Sequence, residues 1–176
     1  MAKKKKVEPR TVPSREERYM GLAFWIASFS KDPSTQNGAI IVSSDNRPLG
    51  HGYNGPPRAY SDFDVDWARP AKYRDMVHAE MNAIWHCSES PSGATLYCTA
   101  IPCEACMLQL VVVGLEKIIY YPGQHFDKGS MCANKAFHKD TEEIAKKGKV
   151  KLEKFTGNLN WMRDRVRRME IMGIFD

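Results

Sequence analysis

From residue 78 onward the sequence switches repeatedly between two hydrophobic periods, and nothing else in it restricts the fold as strongly. A helical pattern starts at His78, a strand-like run follows at Ala94–Thr99, a second helical pattern runs from Cys103 to near Gly114, and a second strand-like run spans Lys117–Tyr121. A helix that separates two strands returns the chain across the sheet, so these strands lie parallel and the helix covers a sheet face. A helix near Ala133–Lys147, a strand at Val150–Phe155 and a last helix near Asn160–Met172 continue the alternation. In the last helix Met162, Val166, Met169 and Met172 form an apolar stripe expected to dock on the sheet, leaving Arg163, Arg165, Arg167 and Arg168 in solvent.

The chain before residue 78 supplies the remaining layer. Ser14-Arg15-Glu16-Glu17 has the form of a capping box and starts a helix that runs to about Phe29, ended by Lys31-Asp32-Pro33. Tyr19, Leu22, Ala23, Ile26 and Phe29 fall at helical spacing and are expected in the core. Gly38–Ser43 and Leu49–Tyr53 flank the turn-forming Asp45-Asn46-Arg47-Pro48 and read as a β-hairpin. Residues 54–76 are rich in Pro, Asp, Arg and aromatics without a period, and so long a loop in a domain of this size points to function. The whole reads as an α/β fold with five strands.

Composition narrows the class. A chain of 176 residues with 43% hydrophobic and 27% charged residues is long enough for one domain with its own core, and is neither fibrous nor disordered. The net charge of +5 is carried largely by Lys3–Lys6, so residues 1–12 are expected to be a disordered basic tail ahead of a single domain at 13–176, and a polyanion-binding surface gains little support. Five cysteines without framework spacing, and no apolar segment of secretory type at the N-terminus, predict a reducing cytoplasmic setting. The apolar stretch Leu108–Val113 falls far short of the roughly 20 residues that span a bilayer.

The chemistry lies at the starts of two helices. Pro102-Cys103-Glu104-Ala105-Cys106 sets two thiols one helical turn apart, at a helix N-terminus that favours their thiolate forms. Alone, such a pair is a redox couple, half of a structural zinc site or two buried cysteines. His78 begins the neighbouring helix of the same face and can complete a three-donor set for zinc. His86, Cys87, Cys98 and Cys132 could donate as well, but none has a spacing that marks it as a fourth ligand, and three ligands leave a position for water as in catalytic zinc. Inside a helix His78 and Glu80 would point about 200° apart; in the first turn, at a cleft, both can flank one site, with Glu80 as the proton carrier. His125, Cys132 and His138 form a further group of donors that matches no metal template.

H-x-E followed by P-C-x-x-C is the signature of zinc nucleobase deaminases. With Ser30-Lys31-Asp32-Pro33, Gln36, Gly38-Ala39, Ile41-Val42, Gly52-Tyr53-Asn54-Gly55, Pro57, Lys72-Tyr73 and Leu96-Tyr97, the chain resembles the deoxycytidylate deaminases of the cytidine deaminase-like superfamily over about residues 15–125. The resemblance implies a three-layer α-β-α sandwich around a mixed five-stranded sheet with helices on both faces. It implies hydrolysis of dCMP to dUMP and ammonia, zinc on His78, Cys103 and Cys106, and Glu80 protonating the ring nitrogen and then the departing amine. Asn54 is expected on the sugar, the main chain of Ala79 on the pyrimidine carbonyl, and Lys31 and Arg58 on the phosphate. The resemblance further implies a homo-oligomer, a hexamer, activated by dCTP with Mg2+ and inhibited by dTTP at a site that includes Gly52, Tyr53, Asn54 and Gly55.

Three positions depart from the family pattern. Asn37 replaces a valine at the entry to the first strand, Met107 replaces an alanine after the second cysteine, and Glu89 lies where a family member carries arginine beyond the "HAE" helix. Asn37 is therefore where a shifted substrate preference, dCTP beside dCMP, would arise. Deaminases of tRNA or other nucleic acid and of the riboflavin pathway share the zinc motifs but not the flanks "SKDPSTQ" and "GYNGPP". A non-catalytic zinc-stabilised domain would have no need of Glu80.

Overall fold

A computed structural model describes residues 11–123 and 135–172. The basic tail up to residue 10, and the donors His125 and Cys132, lie outside the described residues. Helix α1 (Arg15–Ala27) opens with the expected capping box: the Ser14 hydroxyl accepts from the Glu17 amide at 3.2 Å and the Glu17 carboxylate accepts from the Ser14 amide at 2.8 Å. Tyr19, Ala23 and Ile26 are buried as their spacing predicts, with Met20 and Ala27 beside them, whereas Leu22 and Phe29 are 44% and 52% exposed. The buried arc is centred between Tyr19 and Met20; Leu22 lies about 100° from its centre, and Phe29 falls beyond the Ser28 cap.

Strands β1 (Gly38–Val42), β2 (Pro48–Tyr53), β3 (Thr95–Cys98), β4 (Lys117–Tyr120) and β5 (Lys151–Lys154) form one sheet in the order β2-β1-β3-β4-β5. β1 is antiparallel to both neighbours, and β3, β4 and β5 are parallel. Helices α2 (Ala79–Trp85), α3 (Glu104–Val112) and α4 (Lys135–Lys147) return the chain between them. Ala39, Ile41, Leu96 and Ile118 point to the face covered by these three helices, through Ala83, Met107, Leu110 and Ala145. The alternate residues Ile40, Val42, Tyr97 and Ile119 meet α1 on the other face. Both faces are covered, which is why β1 and β4 read as continuous apolar runs rather than alternating ones. β5 has only Leu152 half-buried between charged neighbours, as befits an edge that must not pair with another chain.

The last helix, α5 (Asn160–Ile171), departs from expectation. It meets the body at its first turn, where the Trp161 ring and the Met162 sulfur lie over Gly21 of α1. Val166, Met169 and Met172 are 37%, 38% and 72% exposed, so the apolar stripe does not dock on the sheet. α1 already covers that face, and α5 packs on the outside of it. No described helix is long and apolar enough to cross a membrane.

Two features position the future site. β2 passes so close beneath α2 that a Cβ on Gly52 would sit 2.4 Å from the Ala83 amide nitrogen, and one on Gly50 would sit 2.5 Å from the Ala83 carbonyl oxygen. These glycines are a seat for α2. The loop after β2 is closed at its base by paired hydrogen bonds between Gly55 and Val77, at 3.0 and 2.9 Å. Inside it a 3-10 turn, Ala71–Arg74, carries Lys72, which is 1% exposed. Its ammonium donates to both Asp32 oxygens at 2.8 and 2.6 Å and to the Ser34 hydroxyl at 2.6 Å. Burial raises the pKa of the Asp32 carboxyl, but hydrogen bonds from Lys72 and Ser34 outweigh it and hold the group below the usual carboxylate range.

A depressed folded-state pKa means that this pair's contribution is complete at neutral pH and is lost as the pH falls through that value. Lys72→Met strands a buried carboxylate and is expected to cost about 3–5 kcal/mol near neutrality. The loss should shrink in acid, where Asp32 takes up a proton. Urea unfolding at the two pH values tests this; a neutral-pH midpoint equal to wild type would show that Asp32 needs no counter-charge.

Candidate active site

His78 and Cys103 occupy equivalent positions, the N-caps of α2 and α3, both in extended backbone conformation. Because both helices lie on one face of the sheet, their first turns meet. The His78 side chain makes no capping hydrogen bond, and its Nδ1 lies 3.4 Å from the Sγ atoms of both Cys103 and Cys106. The three donor atoms lie within 4.8 Å of one another. Tetrahedral zinc with ordinary Zn–S and Zn–N bonds would set such N···S distances near ~3.5 Å, so this donor set fits zinc in both type and spacing. Nδ1 is turned to the thiols and is the nitrogen that would face a metal, in which case the ring would keep its proton on Nε2.

Among the described residues no fourth side chain joins the cluster. The Cys87 thiol bonds the Ala83 carbonyl within α2, Cys98 faces the Ile119 carbonyl in the sheet, and His86 contacts Arg58 and the His51 carbonyl. A zinc ion held by these three donors would keep one coordination position for water. A hydrogen bond from Cys106, with further help from His78, holds Cys103 as a thiolate with its pKa lowered to about 4, and the same sulfur–sulfur contact pushes the Cys106 thiol up. Hydrogen bonding to Cys103 raises His78 to about 9, against the pull of burial.

Glu80 stands in the first turn of α2 and is 7% exposed. His78 precedes the helix and is not one of its turns, so the divergence expected of i and i+2 does not apply, and both residues line one cleft. Burial raises the Glu80 carboxyl pKa, His78 partly opposes this, and no other residue's hydrogen bond holds the carboxylate among the described residues. A carboxyl group so placed holds its proton more tightly than an exposed one, as suits a group that must both accept and return a proton. Ala79, as the first residue of the helix, has an amide without an intrahelical acceptor, directed at the same end.

The cleft has about 650 Å3 of space including its open mouth. Asn54 lines it, 7% exposed, without the left-handed backbone that a turn asparagine would adopt. Its Nδ2 donates to the Thr35 carbonyl at 2.9 Å and to Asp32 at 3.4 Å, and its Oδ1 accepts from the Asn37 amide at 2.7 Å. Asn54 is therefore a bracket for residues 32–37, with one lone pair of Oδ1 to spare. Asn37 also reaches the cleft, its Oδ1 accepting from the Thr99 hydroxyl at 3.3 Å.

Other expected contacts lie elsewhere. Lys31 is largely exposed and paired with Asp62, and Arg58 lies 3.2 Å from the His86 ring; neither lines the cleft. Arg58 instead joins Gly52, Tyr53 and Gly55 at a second pocket walled by Trp85 and His86. Sequence reasoning missed Thr35, Arg69 and Tyr73 on the cleft wall and the Asp32–Lys72 pair behind it. The signal for the pair was an acid, Asp32, in one motif segment and a base, Lys72, in another.

Comparison with known proteins points the same way. Residues 13–122 match the family profile of the cytidine and deoxycytidylate deaminase zinc-binding region. The deoxycytidylate deaminase of Pongo abelii is 36% identical over 124 residues, which are 66% of this chain and 70% of that one. That of Mus musculus is 35% identical over 130 residues, 70% and 73% of the two chains. Among solved structures, the dCMP deaminase of cyanophage S-TIM5 in complex with dCMP and dUMP superposes with a TM-score of 0.62 at 26% identity, covering 83% of this chain and 100% of that one. The chain therefore belongs to the family of cytidine and deoxycytidylate deaminases with a zinc-binding region, as a hydrolase of the cytidine-deaminase type.

Proposed function

We propose that this chain converts dCMP and water to dUMP and ammonia, with zinc on His78, Cys103 and Cys106 and with Glu80 as the proton carrier. The observation that carries the reading is a buried carboxylate, held by no hydrogen bond from another of the described residues, beside a three-donor cluster in one cleft. A solved relative that holds dCMP and dUMP supports the choice of nucleotide. Zinc, when bound, supplies the Lewis acidity that lets water act as a nucleophile near neutral pH.

The remaining work falls to the chain's own groups. Glu80 takes one proton from the attacking water and gives it to ring N3 as the C4–O bond forms. It then moves the second proton to the 4-amino group, and the C4–N bond breaks to release ammonia. The Ala79 amide donates to the pyrimidine carbonyl and so fixes the ring's orientation. The spare lone pair of Asn54 accepts from a sugar hydroxyl. Free cysteines at 87, 98, 103 and 106 accord with a cytoplasmic enzyme.

Regulation belongs to the same proposal. The second pocket, bordered by Gly52, Tyr53, Gly55 and Arg58, is assigned to dCTP with Mg2+ as activator and dTTP as inhibitor, in a homo-hexamer. Phe29, Tyr53 and Trp85, 52%, 39% and 62% exposed around this region, offer the apolar surface that a subunit contact would cover.

Three measurements test these assignments. Cys103→Ser should lose the zinc that wild type carries at about one per chain; unchanged metal content would remove this cysteine from the ligand set. Glu80→Gln should keep zinc and fold yet lose turnover by at least several hundredfold, since an amide cannot shuttle a proton; activity within about tenfold of wild type would sink the role. Finally, dCMP saturation curves at constant magnesium should be made more sigmoidal by dTTP and hyperbolic by dCTP, because an effector acts only through differential binding to two states. Three superimposed curves would leave the deaminase without the regulation.

A further inference from the structure

Besides the Cys103 thiol and the Tyr73 phenol, five acidic or basic side chains among the described residues line the cleft, and they divide unequally. Asp32 and Lys72 neutralise one another in a pair 2% and 1% exposed, and His78 and Glu80 belong to the reaction centre. Arg69 is left. Its Nη2 donates to the Thr35 hydroxyl at 2.9 Å, no carboxylate among the described residues pairs with it, and its Nε is buried without a hydrogen-bond partner. A guanidinium cannot shed its charge, so a buried N–H on it that bonds to nothing calls for an acceptor from outside the chain.

We propose that Arg69 is a specificity-determining residue that reads the 5′-phosphate of the nucleotide. Nε and Nη2 share one edge of the guanidinium, and two phosphate oxygens seated on that edge accept from both, while Nη2 keeps its other N–H for Thr35. The Thr35 bond fixes the plane of the group before the ligand arrives. Lys72 cannot take this role, since its three N–H groups are used by Asp32 and Ser34. The inference rests on the dCMP reading above and adds the residue that makes the cleft select a nucleotide over a nucleoside.

The test compares kcat/KM for dCMP and for deoxycytidine in wild type, Arg69→Gln and Arg69→Lys, with thermal midpoints taken alongside. Wild type should favour dCMP. Arg69→Gln should lose about a hundredfold or more on dCMP while its deoxycytidine value stays near wild type, and Arg69→Lys should recover part of the loss. Equal falls on both substrates would mean that Arg69 only braces Thr35, and a wild type that treats both alike would mean that no phosphate is read; either overturns the proposal. If wild type deaminates neither, the dCMP reading fails by itself. Binding of dUMP against deoxyuridine then decides the inference: a preference for dUMP that vanishes in Arg69→Gln upholds it, and its absence in wild type ends it.

Discussion

Two thiols and an imidazole nitrogen brought within 4.8 Å of one another form a donor set able to hold a metal ion, and the rest of the fold can be understood as the means of bringing them there. Cys103 and Cys106 come from one helix and His78 from another, with β3 and its flanking turns between them. Only a topology that sets both helices on one face, with their first turns at the same edge, lets these atoms meet. The parallel pairing of β3 with β4 does this for α3. For α2 the means is the close approach over Gly50 and Gly52, where any Cβ would force the helix and its His78 and Glu80 outward.

The cleft wall opposite the metal donors is built on different physics. Residues 32–37 and the 3-10 turn at 71–74 have little regular structure to hold them, and a buried ion pair with a shell of hydrogen bonds serves instead. Asp32 receives the Lys72 ammonium, the amides of Ser34 and Thr35 and the Ser34 hydroxyl, so its burial is compensated at nearly every lone pair. Asn54 ties this wall to the end of β2. A neutralised network of this kind is rigid and adds no net charge to the cleft, so that field is left to Glu80, to the metal donors and to Arg69.

The segment from Gly52 to Gly55, at the end of β2 and just beyond it, borders both pockets, with Asn54 on the cleft. Gly52 presses against α2, while Tyr53 and Gly55 wall the second pocket, and Asn82 of α2 donates to the Tyr53 carbonyl at 2.8 Å. A ligand that moved this segment would move the helix that carries His78 and Glu80. Because interiors are close-packed, such a displacement reaches the reaction centre within one layer of contacts.

The elements themselves were legible because their causes are local. The capping box, the apolar runs of β1 and β4, the turn between β1 and β2 and the helix starts at His78 and Cys103 are all written within a few residues, and the motif spacing determined that three metal donors and one carboxylate would share a site. What the sequence could not decide is which surfaces meet. The α5 stripe has helical spacing, yet α1 already covers the face it would need, and Leu22 has the period of a core residue but stands on the wrong arc of its helix. Gly52 entered the sequence reading as part of an effector site, and only the packing of α2 upon it shows that a hydrogen is all that fits. Lys31, Arg58 and Arg69 are alike as letters. Burial and partners separate them, because a cation in water with a surface partner is satisfied, whereas a guanidinium nitrogen shut away from both solvent and carboxylates is not.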